Sequence, residues 1–159
     1  KGYHTKVLDT RKTTPNFRLL EKEAVKIGGG INHRFGLYDM IMLKDNHIDY
    51  CGGIEQAIAG AWEYVQTKKP GLKIEVETRN IEDVKKVIAV GKGKVFRIML
   101  DNFKPQEIQK AVDLIEEMFE TENPFYCDKH AEKHEHRDYA FLPVANSPRM
   151  GVCGYTGER

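Results

Sequence analysis

The chain is poor in cysteine, proline and tryptophan, with three, six and one of them in 159 residues. Three cysteines, Cys51, Cys127 and Cys153, cannot all pair within one chain. That excludes a disulfide framework and points to a reducing compartment, the cytoplasm, or to a metal site. No apolar run approaches the roughly 20 residues of a membrane-spanning helix, and no signal peptide is visible. A membrane partner is therefore not expected. A charge excess is also lacking: 25 Lys and Arg stand against 24 Asp and Glu. Nothing in that balance suggests nucleic-acid binding, so local clusters of charge carry the information. The length suffices for one sizeable core. The chain starts at Lys1 without Met, inside what reads as running sequence, as expected of a fragment.

What the sequence does contain is an alternation of short apolar runs with amphipathic stretches. Residues 6–10, KVLDT, read as a strand ending at Asp9-Thr10. Thr14 is placed to cap a helix, with Pro15 in its first turn and Phe17, Leu20, Ala24 and Ile27 at helical spacing. Gly28 to Gly30 end that helix. Met40 to Leu43 form a second strand. Gly52-Gly53 opens a helix with Ile54, Ala57, Ile58, Ala61, Tyr64 and Val65 on one face. Leu72 to Glu77 read as a third strand. Asn80 caps the next helix, NIEDVKKVIAV, which Gly91 closes. Val95 to Leu100 are a fourth strand, and a helix from Lys104-Pro105 runs to about Phe119. This βα rhythm implies a parallel sheet with right-handed crossovers. Val7–Asp9, Met40–Leu43, Ile74–Glu77 and Arg97–Leu100 are expected as adjacent parallel strands in that order.

Charged groups recur at one place in each unit. Asp9, Lys44, Glu77 and Asp101 each stand at or just past a strand's carboxyl end, and Thr10-Arg11-Lys12 and His33-Arg34 flank the first unit. Parallel strands put all these groups on one face, where α/β barrels carry their active sites. Arg11 and Arg34 can each grip a carboxylate by a two-point fork, while Lys12 and Lys44 act as point charges. Thr10 and His33 add neutral or switchable donors. Such a set suits a small dicarboxylate beside a phosphorylated co-substrate. Glu77 and Asp101 are acceptors that could hold a metal, bind ribose hydroxyls or stabilise a developing positive charge. Asn46 and His47 could orient Lys44 or cap the following loop. Cys51 lies outside these clusters and reads as structural.

The motifs DTRKTTP (9–15), GGGINHRFGLYD (28–39) and KDNH (44–47), followed by Glu75-Val76-Glu77 and Leu100-Asp101-Asn102, resemble those of quinolinate phosphoribosyltransferase, the carboxylating nicotinate-nucleotide pyrophosphorylase. The likeness covers roughly residues 3–122. It implies a partial (β/α) barrel of the type II phosphoribosyltransferase kind, about four βα units long, as a catalytic domain over residues 1–122. It implies transfer of a phosphoribosyl group from phosphoribosyl pyrophosphate to quinolinate with decarboxylation, in NAD biosynthesis. It also implies Thr10, Arg11, Lys12, His33, Arg34 and Lys44 as quinolinate and phosphate contacts. Among these, Lys12 and Lys44 join Glu77 and Asp101 as the catalytic set. Magnesium near Glu77 and Asp101 and a homodimer of the full-length protein follow from the same likeness.

Residues 123–159 lack the βα rhythm and resemble nothing in that family. They read as an irregular, loop-rich tail in which Cys127, His130, His134 and Cys153 could hold zinc. The glycine-rich phosphate loops of the family's later strands are missing, so the chain alone is expected to be weakly active or inactive. A reading from another class is a non-catalytic zinc- or ligand-binding module.

Overall fold

The computed structural model describes residues 6–115, 118–123 and 138–141. Strand β1 (Lys6–Leu8) leads to helix α1 (Arg18–Ile27), then β2 (Ile41–Leu43), α2 (Asp45–Cys51), α3 (Ile54–Thr67), β3 (Ile74–Thr78), α4 (Ile81–Gly91), β4 (Arg97–Leu100) and α5 (Pro105–Ile115). Two further strands, β5 (Glu120–Asn123) and β6 (Asp138–Phe141), complete one six-stranded sheet. Every pairing in it is parallel.

Alternation along the strands divides the sheet into two unlike faces. Leu43, Ile74, Val76, Ile98 and Leu100 point to the helices and pack with Ile58, Val84, Val87, Val112 and Ile115. Each such side chain contributes about 1.5–3 kcal/mol through burial. The residues between them, Glu75, Glu77, Arg97 and Met99, face the other way and are also buried. A purely apolar strand would be the norm for a sheet covered on both sides. Here the second face holds charge, so it is the face where chemistry is possible.

The helices follow from local signals. Asn80 Oδ1 accepts from the Asp83 amide at 2.9 Å, capping α4 as its position predicted. α3 buries Ile54, Ala57, Ile58 and Val65 along its expected stripe. Gly29, at φ +87°, supplies the left-handed turn that ends α1. α2 was not expected. Its seven residues are set off from α3 by Gly52 and Gly53, at φ +88° and +137°. His47 does cap a local structure, because the Lys44 amide donates to its Nδ1 at 3.1 Å.

Two expectations are corrected. First, β1 does not lie beside β2. The order is β1-β6-β5-β4-β3-β2, so β1 and β2 are the two edges and β6 lies between β5 and β1. Only β2, β3 and β4 follow one another as expected. The segment after α1 spans the gap between the edges. Ile31 pairs with Leu8 of β1, and two residues later the His33 ring reaches Glu75 of β3. The sheet therefore curls toward a barrel, and closure rather than chain order sets the neighbours of β1. Asn123 and Asp138–Phe141, expected in an irregular tail, belong to strands of this sheet.

Second, α1 is inverted relative to its apolar stripe. Phe17, Leu20 and Ile27 are 52%, 63% and 81% exposed, and Ala24 is exposed too. The buried residue of this helix is Lys22. Its ammonium lies 2.7 Å from Asp9 Oδ1 and 3.1 Å from the His33 carbonyl. One turn earlier, Arg18 donates to the carbonyls of Phe35 and Arg11 at 3.2 and 3.3 Å. A charged stripe, spaced i and i+4, turns this helix inward. The helix also starts at Arg18, later than Thr14 suggested, because residues 15–17 form a turn with Asn16 at φ +66°.

Candidate active site

Three strand ends converge on one cluster. Lys44 follows β2, Glu77 lies near the end of β3, and Asp101 follows β4. The Asp101 amide donates to the Thr78 carbonyl at 3.0 Å, which extends the β3–β4 pairing and sets Asp101 beside Glu77. The two carboxyl groups are close enough to perturb each other's charge. Lys44 Nζ lies 3.6 Å from Glu77 Oε2, a loose pair with the lysine half exposed. Asn102, at φ +58°, donates its amide to Asp101 Oδ2 at 2.7 Å.

Burial raises both carboxyl groups above their ordinary range. For Glu77 the Lys44 ammonium opposes this, while Asp101 and Asp45 add to it. For Asp101 the hydrogen bond with Glu77 and the charge of Lys44 oppose it, while Asp45 adds to it. Closely placed acids of this kind take up a proton or a cation readily. Perturbed carboxylates in such a place make Glu77 and Asp101 functional-site candidates.

The cations expected here divide into two groups. Among the described residues, the side chains of Arg11 and Lys12 make no hydrogen bond or ion pair, and Lys12 is exposed. Thr10 is buried, and its Oγ1 accepts from the Lys12 amide at 3.1 Å, shaping the turn after β1. Arg34 is half-buried and leans on β2, with one terminal nitrogen 3.3 Å from the Met40 carbonyl and the other 3.3 Å from the Met42 sulfur. His33 is buried, its amide donating to Asp9 Oδ1 at 2.7 Å. Its Nε2 lies 2.9 Å from Glu75 Oε2.

Beneath these residues lie buried charges outside the expected site, Glu75 and Arg97. Arg97 Nη1 donates to Glu75 Oε2 at 3.2 Å, and Nη2 donates to Glu120 Oε2 at 2.9 Å. Glu75 and Arg97 are 0% and 6% exposed. The available signal was a charge on alternate residues of β3, Glu75 and Glu77, and a single charge, Arg97, at the start of β4. Lys22 offered no comparable signal, because a lysine in an amphipathic helix reads as solvated.

Metal sites are sparse. Among the described residues, no three His, Cys, Asp or Glu side chains converge on a common point. Glu77 and Asp101 nonetheless form a hard oxygen pair suited to magnesium, which takes one or two carboxylates and completes its shell with phosphate and water. Cys127, His130, His134 and Cys153 lie outside the described residues. An open apolar cleft near β2 and α3, lined by residues such as Leu37, Ile41 and Tyr64, includes none of the expected site residues.

Fold and site together define an α/β domain with a parallel sheet whose strand ends carry a cluster of charged side chains. Residues 1–124 match the family described as "Quinolinate phosphoribosyl transferase, C-terminal domain". The chain belongs to this family. It is 48% identical over 128 residues to "Nicotinate-nucleotide pyrophosphorylase [carboxylating], chloroplastic" of Arabidopsis thaliana, covering 73% of this chain and 37% of that one. It is 46% identical over 117 residues to the probable enzyme of that name in Bacillus subtilis, covering 74% and 38%. The crystal structure of NadC from Streptococcus pyogenes superposes with a TM-score of 0.77 at 41% identity, over 88% of this chain and 48% of that one. The chain thus spans under half the length of these relatives. Among the described residues, no helix is long and apolar enough to cross a membrane.

Proposed function

We propose that the protein containing this chain transfers a phosphoribosyl group from phosphoribosyl pyrophosphate to the ring nitrogen of quinolinate. Pyrophosphate and carbon dioxide leave, and nicotinate mononucleotide is formed for NAD biosynthesis. The observation that carries this reading is the Lys44–Glu77–Asp101 cluster at parallel strand ends, with Arg11 and Lys12 following β1 of the same sheet. Arg11, Lys12, Arg34 and Lys44 hold the two carboxylates of quinolinate and the phosphates, with Thr10 and His33 as further contacts. Glu77 and Asp101 face the ribose. As the bond from the anomeric carbon to pyrophosphate lengthens, positive charge develops on the ribosyl centre, and fixed acids stabilise it. Decarboxylation then leaves an electron pair on a ring carbon beside the nitrogen that has become cationic, and that carbon takes up a proton from water. Magnesium, held by Glu77 and Asp101, would neutralise charge on the departing pyrophosphate. No covalent nucleophile is required.

The catalytic unit is a homodimer of the longer protein acting in the cytoplasm, without nucleic-acid or membrane partners. The carboxyl-terminal phosphate loops and a further domain complete it. Positioning of both substrates can supply roughly 7–11 kcal/mol of a barrier, so the 159-residue chain binds quinolinate weakly and turns over little or none. Calorimetry on the chain tests the binding. Arg11→Ala should weaken quinolinate by about 2–5 kcal/mol, the loss expected when a charge-paired contact is removed. Arg34→Lys should weaken it too, because lysine cannot form a two-point contact. Unchanged affinity in both variants refutes the assignment.

A further inference from the structure

Beneath the strand-end site runs a largely buried string of charge of which only His33 contacts substrate in the reading above, and which does not pack the helices. Its members are His33, Glu75, Arg97 and Glu120. Glu75 Oε2 takes two donors, His33 Nε2 at 2.9 Å and Arg97 Nη1 at 3.2 Å. Glu75 Oε1 is buried without a hydrogen-bond partner among the described residues. The His33 and Glu75 side chains are 3% and 0% exposed. A buried carboxylate with one oxygen left bare is a costly way to fill space, and an apolar side chain of similar volume would serve stability as well or better. What the carboxylate adds is direction. It accepts only, so the nitrogen facing it must carry a hydrogen.

We propose that Glu75 is a positioning residue that acts through His33, fixing the orientation of its ring by accepting from Nε2 at 2.9 Å. The proposal rests on the reading of His33 as a substrate contact. The rest of the geometry serves the same end. Asp9 Oδ1 holds the His33 amide, and Lys22 Nζ holds its carbonyl. The backbone is thereby pinned on one side and the ring on the other. Arg97 balances the Glu75 charge and is itself tied to Glu120 at 2.9 Å. Orientation of a histidine through its second nitrogen is a general device, and loss of such a partner typically costs 10- to 100-fold in the function of the ring.

Nitrogen-15 spectra of the full chain, labelled at histidine and recorded at pH 8, test the proposal directly. The expected result is a protonated Nε2 on His33 in the wild type and an altered ring signature in Glu75→Gln. Where that variant does not fold, the double replacement Glu75→Gln with Arg97→Gln removes both charges together. An Nε2 without a proton, or a ring signature that persists without Glu75, overturns the inference. Calorimetry adds a second arm. Glu75→Gln should weaken quinolinate binding about tenfold in the wild-type background and not at all in a His33→Ala background. Equal weakening in both backgrounds shows that Glu75 does not act through His33 and overturns it as well. A wild-type chain that binds no quinolinate counts against the proposed function, and the spectra then decide the role of Glu75 alone.

Discussion

Lys22→Ala should be among the more damaging single substitutions in this chain, although it falls on a helix that exposes most of its apolar residues. Lys22 and Asp9 form an ion pair at 2.7 Å with side chains 3% and 1% exposed. Removing one partner of a buried pair costs about 3–5 kcal/mol, because the remaining charge stays desolvated. Asp9 would not be wholly abandoned. Its Oδ1 keeps the His33 amide at 2.7 Å, and its Oδ2 keeps the Asn32 side-chain amide at 3.0 Å in the orientation that satisfies both ends of that group. The lower end, about 3 kcal/mol, is therefore expected. For a domain of this size that corresponds to a fall in Tm of about 6–12 °C. Urea unfolding followed by circular dichroism measures it. Lys22→Met with Asp9→Asn removes both charges yet keeps an acceptor for the His33 amide. That double variant should be at least about 2 kcal/mol more stable than the sum of its single changes predicts. Single changes within 1 kcal/mol of wild type, or strictly additive changes, would refute the view that this pair holds α1.

The site carboxylates make a prediction of opposite sign. Glu77 and Asp101 are raised in the folded protein, chiefly by burial, so the folded state binds protons more readily than the unfolded chain there. Their effect is a penalty present at neutral pH that fades as pH falls through the raised folded values toward the ordinary carboxyl value of about 4. Glu77→Gln should thus be more stable than wild type at pH 7, and the gap should close as the pH approaches 4. Urea midpoints at several pH values check this, and a less stable variant at pH 7 would contradict it. A smaller effect is expected at a helix start. Asn80→Ala should cost about 1 kcal/mol by removing the 2.9 Å cap on the Asp83 amide, measurable as a shift in urea midpoint with an unchanged slope.

Much of the site was readable because it depends on position along the chain. Lys44, Glu77 and Asp101 stand just where short apolar runs end, and parallel strands bring such ends to one face whatever the order of the strands. The α/β class, the stripe on α3 and the Asn80 cap were readable for a related reason: periodicity and capping are local properties, complete within a dozen residues. The inward face of α1 was not readable. Phe17, Leu20 and Ile27 form a regular apolar stripe, and only the buried carboxylate of Asp9, placed by β1, makes the Lys22 side the inner one. Helix α2 was hidden because it packs little besides Ile48 against the core. The neighbour of β1 was hidden because Lys6 pairs with Tyr139, near the other end of the chain. The charges of Glu75, Glu77 and Arg97 were visible as letters, but their meaning required register: Glu75 stands opposite Arg97 across β3 and β4, and the curl of the sheet brings His33 onto Glu75. Local patterns therefore determined the elements and the residues at their ends. Which buried charges meet was decided by tertiary structure alone, because an ion pair is stabilising only where two distant segments are held within about 3–4 Å and away from water.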